Sequence, residues 1–482
     1  MISLSKAASK ASFWNISSNI ANGMVRFLVT AILAHFLSPS EFGVVGIALI
    51  VVGVVAVFGN TGLGAALIYK KDSDDTYYST VYWINLCAGI AMSLITVALA
   101  YPVSLFFNER TVFYIMPVLS VNFTVSMLSS IHFIKLQKKV DYKTIGFAEI
   151  VSNLIAGTAA VILAYCGAGV WSIVIQNVLM IVIKTCLFWI AVRWVPGLIF
   201  DFKKFLELFR YSRNILLEAI FNYFSQNIDY FIIGKSLGVK GLGYYKLAYS
   251  LVHIPYENFS KKLTSVLFPL LCNVKDEPKR YRRGYLNAIK FNSMAVFPVM
   301  ASFFFIAGYF IPVVYGSKWV FIVPTAKILA IAGMIRCVNT FSGTIFNSQG
   351  RPDIGLKFNL GMFPFIFTAL LIGARFGING IAAAMLFTVI VSSIILHYIL
   401  VTKFKVISFA DIAVSLLPAV INSIILFVIL CFLSKITDLG TNVLNLIFYM
   451  AVSAGLIFMI YFIGFKKDLN ELAGFVSSMF RK

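Results

Sequence analysis

The chain has 482 residues, of which 60% are hydrophobic and only 12% charged, with a mean hydropathy of +0.90. Water-soluble domains use about 25% charged residues, so this composition excludes a chain folded in water and points to an integral membrane protein. The net charge of +21 could suit nucleic acid, but the cations cluster in short loops between apolar runs. That placement reflects membrane topology and attraction to anionic lipid, so nucleic acid is not an expected partner.

About fourteen stretches are long enough to cross a hydrocarbon core of roughly 30 Å. They fall at 12–36, 43–69, 77–101, 111–134, 144–165, 169–192, 212–237, 241–271, 288–312, 319–346, 355–374, 378–402, 411–433 and 441–463. Residues 1–11 are polar, and the first stretch carries Asn15, Asn19, Asn22 and Arg26. This is a poor signal-peptide core and reads as a retained first helix. An even number of spans puts both termini on one side. The loops on that side hold most of the Lys and Arg, while the opposite loops carry Arg110, Lys235, Lys240, Lys318, Arg375 and Lys435. Cationic loops stay in the cytoplasm, so both termini are expected inside.

A weak internal repeat lays residues 34–43 over 234–243, with Gly43 over Gly243, and 164–167 over 374–377. It predicts an all-α, polytopic membrane protein of two parallel six-helix lobes plus a C-terminal helix pair, with substrate between the lobes. The lobes would occupy 1–195 and 211–403. An interfacial amphipathic connector would lie at 196–210, and helices 13–14 with a cytoplasmic tail at 404–482.

The informative residues are polar ones inside spans, which cost several kcal/mol in lipid unless they face protein or water. The first span carries Asn15, Asn19, Asn22, Arg26 and Thr30 on one helical face. The seventh carries Asn214, Glu218, Asn222, Ser225 and Asp229, and the eighth Lys246, Ser250, His253, Glu257, Lys261 and Thr264. Asn22 overlies Asn222 in the repeat. Within spans, the cations Arg26, Lys184, Lys246, Lys261, Lys262, Lys327 and Arg336 outnumber the anions Glu149, Glu218, Asp229 and Glu257. A low-dielectric cavity of that sign recruits an anion such as phosphate. The candidate substrate-binding residues are therefore Arg26, Lys246, Lys261, Asn22 and Asn222. Asp229, Glu257, Glu218 and His253 are candidates for ion coupling. The competing reading is structural: His253, Glu257 and Lys261 sit at four-residue steps and could neutralise one another.

Enzymatic signatures are missing from the sequence. The Gly62-x-Gly64 pair lies in an apolar stretch and fits close helix packing better than a nucleotide fold. There is no P-loop, and the six cysteines have no CxxC or metal spacing. No cofactor, metal or catalytic residue is expected. His35, His132 and His397 read as helix-end or packing residues. Trp14, Tyr77, Tyr78, Trp83, Trp171, Trp189 and Trp194 suit interfacial belts.

The run Leu33–Ala34–His35–Phe36–Leu37–Ser38–Pro39–Ser40–Glu41–Phe42–Gly43, then Gly62–Leu63–Gly64–Ala65–Ala66–Leu67–Ile68, resembles the first two helices of bacterial polysaccharide flippases. Asn227–Ile228–Asp229, Ile233–Gly234, Leu242–Gly243–Tyr244, Ala248–Tyr249, Leu267–Phe268–Pro269 and Ser348–Gln349–Gly350–Arg351–Pro352 resemble later segments of the same family. The resemblance is to the oligosaccharide flippases of the MOP exporter superfamily, which export O-antigen (lipopolysaccharide), capsule or exopolysaccharide repeat units. His35 departs from the arginine the family usually has there. The resemblance implies alternating access in the cytoplasmic (inner) membrane, carrying an undecaprenyl-pyrophosphate-linked oligosaccharide to the outer leaflet. It implies membrane lipids, H+ or Na+, and polysaccharide polymerase machinery as partners.

Two other classes stay open at this point. A cation-coupled multidrug or small-amphiphile antiporter of the same superfamily should have a net acidic cavity. A membrane polymerase or ligase should have a large external loop with paired Arg or His, and the loops read here do not exceed about a dozen residues.

Overall fold

The computed structural model describes residues 2–59, 64, 67–68, 74–202, 223–404, 407–437 and 442–464, and every regular element among them is a helix. Hydrocarbon offers no hydrogen-bond partner, so a spanning segment must satisfy its own N–H and C=O groups, as a helix does. The chain divides into two compact units, residues 1–243 and 244–482.

Among the described residues, twelve helices are long and apolar enough to cross a membrane. They coincide with expected spans, and the two spans left over are those with the densest polar stripes. The span expected at 212–237 is described only from residue 223, and 223–236 is helical. The span expected at 241–271 is helical throughout, but Lys246, His253, Glu257, Lys261 and Lys262 make it too charged to register as apolar. The all-α, multi-pass fold class is the one the sequence predicts.

The first unit contains α1 (Ile2–Phe36), α2 (Pro39–Gly59), α3 (Asp75–Phe107), α4 (Arg110–Leu128), α5 (Ser130–Lys138), α6 (Tyr142–Tyr165) and α7 (Val170–Val192). Within it α3 packs along α4, α1 along α6, and α6 along α7. Short polar residues punctuate these helices. The Ser38 amide and hydroxyl donate to Glu41 Oε2 at 2.6 and 2.8 Å, and the Glu41 amide donates back to Ser38 Oγ at 3.4 Å. This capping box, with Pro39 in the first turn where a missing N–H costs nothing, explains the Ser-Pro-Ser-Glu motif. Asp74, Glu109 and Asp141 cap α3, α4 and α6 by accepting backbone N–H bonds of 3.0–3.1 Å.

Small residues bring backbones together. A Cβ on Gly146 would stand 2.4 Å from Ser18 Cβ, and one on Gly157 would stand 2.5 Å from Val29, so α1 and α6 can touch only without those side chains. The tightest approach in this unit joins Gly43 to Gly243. A Cβ on Gly43 would lie 1.7 Å from the Val239 carbonyl oxygen, and one on Gly243 would lie 1.8 Å from the Pro39 carbonyl oxygen. The contact is reciprocal between 39–43 and 239–243, the segments that the internal repeat lays over each other.

An aromatic cluster ties residues 193–201 to α3 and α5. His132 is fully buried, stacks on Trp189 at 4.4 Å and places Nε2 within 3.0 Å of the Trp194 carbonyl. Trp83 Nε1 donates to Gly197 O, and Trp189 Nε1 to Leu128 O, both at 2.9 Å. Lys135 lies over the Tyr78 and Trp194 rings at 4.5 and 4.4 Å and pairs with Asp75 at 3.3 Å. His132 is thus a packing residue, and Trp83, Trp189 and Trp194 join Tyr78 and Tyr82 in one packed cluster.

At the second unit, α8 (Gly238–Pro255) crosses the unit boundary and runs through a π-helical turn (Tyr256–Ser260) into α9 (Lys261–Asn273). There follow α10 (Pro278–Tyr315), a 3-10 turn (Ser317–Ile322), α11 (Val323–Asn339), α12 (Ser342–Ser348), α13 (Pro352–Ala374) and α14 (Gly377–Ile399). A second π turn (Leu400–Phe404) leads to α15 (Phe409–Thr437) and α16 (Val443–Gly464). α10 is the spine of this unit and packs on α11, α15 and α16. Leu426, Leu430, Leu446 and Tyr449 of the terminal pair close around Ile306 of α10. With 38 residues, α10 is about 57 Å long at 1.5 Å per residue. That is nearly twice the hydrocarbon thickness, so its basic first turns extend beyond the apolar layer.

Candidate functional site

In the second unit the polar stripe along α8 and α9 resolves into two parts. Glu257 accepts from His253 Nε2 at 3.1 Å and from Lys261 Nζ at 3.1 and 3.3 Å. The Lys261 and Glu257 side chains are 64% and 42% exposed, so this ladder neutralises itself with little energetic weight. The structural reading of these neighbours therefore describes their contacts.

Toward the other end of the stripe the balance differs. Lys246 is half-buried and enclosed by protein, and it makes no hydrogen bond or ion pair among the described residues. An ammonium in such surroundings costs several kcal/mol unless an anion joins it. Arg336 of α11 stands in the same unit, held by a hydrogen bond from Nη1 to the Tyr249 hydroxyl and by the Tyr256 ring, 5.2 Å from its guanidinium carbon. The His253 ring lies between Tyr249 (5.1 Å) and Tyr256 (4.9 Å), and Tyr245 stacks on Tyr249 at 6.0 Å. Tyr245, Tyr249, His253 and Tyr256 thus form a continuous aromatic ladder with a guanidinium on its flank. A small cavity of about 30 Å³ sits against Tyr249, His253, Tyr256, Gly333 and Arg336. The π turn that follows Pro255 loosens the helix here, a distortion concentrated at functional sites.

The first unit holds the other candidates. Asn22, 5% exposed, donates to Glu149 Oε2 at 3.1 Å and accepts from Asn153 Nδ2 at 3.0 Å. Asn153 also donates to the Glu149 carbonyl at 2.8 Å. The Asn22 amide is therefore committed to packing between α1 and α6. Arg26, one turn further along, is exposed and has no hydrogen bond or ion pair among the described residues. Lys184 of α7 lies within electrostatic range of both Glu149 and Arg26. Asp229 is 1% exposed and accepts from the Tyr230 amide at 2.9 Å. Asn222 and Glu218 lie outside the described residues.

The structure thus brings Asn22 to Glu149, and His253 and Lys261 to Glu257, but gives Lys246 and Arg26 no hydrogen-bond or ion-pair partner among the described residues. Sequence reasoning counted Arg336, Lys184 and Glu149 in the charge balance of the spans without naming them as candidate site residues, and gave Tyr249 and Tyr256 no site role. α11 offers a single arginine with no stripe, and the aromatic ladder reads as ordinary packing until Arg336 is placed beside it. Among the described residues, no group of three His, Cys, Asp or Glu side chains could hold a metal ion.

A family model described as "Polysaccharide biosynthesis protein" matches residues 32–324. The teichuronic acid biosynthesis protein TuaB of Bacillus subtilis (strain 168) is 26% identical over 364 residues, covering 75% of each chain. The lipopolysaccharide biosynthesis protein WzxC of Escherichia coli (strain K12) is 23% identical over 385 residues, covering 79% of this chain and 78% of its own. Among solved structures, the lipid II flippase MurJ in an inward closed conformation superimposes with a TM-score of 0.71. It covers 95% of this chain and 99% of its own at 15% identity, a likeness of fold.

Proposed function

The chain belongs to the polysaccharide biosynthesis protein family, and on that premise we propose that it is a flippase for undecaprenyl-pyrophosphate-linked oligosaccharide repeat units. It carries them from the cytoplasmic to the outer leaflet by alternating access, as a multi-pass protein of the inner membrane with both termini cytoplasmic. The observation that carries this reading is the enclosed ammonium of Lys246, without a partner among the described residues, in the same unit as Arg336. A pyrophosphate supplies the anion that this arrangement favours, and charge-assisted bonds from Lys and Arg to phosphate are strong. The aromatic ladder offers faces on which sugar rings can lie. Arg26 and Lys184 of the first unit are further cations suited to an anionic headgroup, and Asp229 and Glu149 of the first unit and Glu257 of the second are carboxylates that can take up H+ or Na+ during the cycle.

A drug antiporter would need acidic groups facing its cationic cargo, whereas Lys246 and Arg26, in-span groups without a partner among the described residues, are cations. The test is deletion followed by mass analysis of lipid-linked intermediates. The expected result is accumulation of a pyrophosphate-linked repeat unit that an external hydrolase cannot reach in intact cells. Unchanged intermediates would reject the flippase.

A further inference from the structure

A groove of about 560 Å³ opens between the first turns of α10 and α15. Lys279, Arg282, Arg283 and Lys290 line it from α10, and Val414 and Leu417 line it from α15. Val414 and Leu417 are 68% and 53% exposed, so an apolar wall faces outward beside four cations. Arg282 is already engaged with Asp411, whose carboxylate also accepts the Ser408 amide at 2.8 Å and so caps α15. That ion pair braces α10 against α15 and fixes the width of the groove. Lys279 and Arg283 form no hydrogen bond or ion pair among the described residues.

Cations above an apolar wall, where a long helix leaves the hydrocarbon layer, suit a lipid whose phosphates meet Lys and Arg while its acyl chains meet Val and Leu. Basic pockets between transmembrane helices on the cytoplasmic side bind headgroups of this kind. We infer that this groove binds a resident inner-leaflet phospholipid carrying two phosphates. With Arg282 neutralised by Asp411, Lys279 and Arg283 remain, two cations for a doubly charged headgroup. The lining argues against the transported glycan lipid as occupant. Among the described residues it contains no aromatic ring for a sugar, and the Ser415 hydroxyl is already given to the Asp411 carbonyl at 2.8 Å. The inference rests on the cytoplasmic placement of the start of α10 and is independent of what the protein transports.

The test uses the purified full-length chain in nanodiscs of phosphatidylethanolamine doped with cardiolipin, with bound lipid read by native mass spectrometry. One cardiolipin should be retained in preference to phosphatidylglycerol and phosphatidylethanolamine. A Lys279→Ala/Arg283→Ala variant should weaken it about thirtyfold, from about fivefold per cation at a membrane surface. Leu417→Trp, which fills the apolar wall and leaves the cations in place, should also displace it. Wild-type retention in the charge variant, or equal retention of phosphatidylethanolamine, would overturn the site. Displacement of cardiolipin by lower concentrations of farnesyl pyrophosphate would assign the groove to the substrate headgroup and overturn the resident lipid.

Discussion

In the first unit the buried amide of Asn22 gives one hydrogen bond to Glu149 and takes another from Asn153, whereas in the second unit the enclosed ammonium of Lys246 has no such partner among the described residues. In sequence the two residues look alike, as polar members of helical stripes in otherwise apolar spans. The difference teaches which polar groups a membrane helix keeps for itself. A satisfied amide between helices is worth roughly 0.6–2 kcal/mol to the bundle. An unpartnered ammonium only destabilises the protein that carries it, so its retention points to a ligand.

Substitution at Lys246 tests this contrast most severely. Lys246→Met should reduce transport of lipid-linked oligosaccharide into vesicles about tenfold to a hundredfold, the effect of losing a charge-assisted bond of roughly 1.5–3 kcal/mol. Its melting temperature in detergent should stay level or rise, because an uncompensated charge is gone. A fall in melting temperature proportional to the loss of transport would make Lys246 structural after all. Arg336→Lys keeps the charge but gives up the planar contact with Tyr256 and the hydrogen-bond geometry with Tyr249. Transport should fall about fivefold to tenfold, from the roughly 1 kcal/mol assigned to such a contact.

Asn22→Leu should reverse the pattern. Thermal unfolding should show about 1–2 kcal/mol of lost stability, while transport per folded molecule stays at the wild-type level. Impaired transport at full stability would return Asn22 to the substrate site and erase the contrast between the units. The smallest change belongs to Lys261→Met. Its exposed pair with Glu257 is worth about 0.3–0.5 kcal/mol, so transport should change by no more than about twofold. A tenfold loss would show that the exposed ladder contributes to substrate contact.

The two glycines of the close backbone crossing were legible in the sequence. Gly43 and Gly243 align in sequence and meet in space because no side chain fits between the crossing backbones. The capping box of Ser38 and Glu41 was equally readable as a motif, since its chemistry is local. Arg336 was not readable as a partner of the α8 stripe. Its neighbours Tyr249 and Tyr256 are far away along the chain, and nothing local says which ring a lone arginine in α11 meets.

Composition alone decided that this chain lives in a membrane, because too few charged residues remain to cover a surface in water. The length of its apolar runs decided that it is helical and multi-pass, since only helices satisfy a single spanning backbone in hydrocarbon. The net cationic balance of those runs was also written in the residues. Tertiary structure decided which polar groups cancel among the described residues: Glu149 takes up Asn22, Glu257 takes up His253 and Lys261, and Lys246 is left over. A charge in sequence has a sign but no neighbour. Whether it is neutralised depends on groups within a few ångströms, and those distances are set only when helices far apart in the chain pack together.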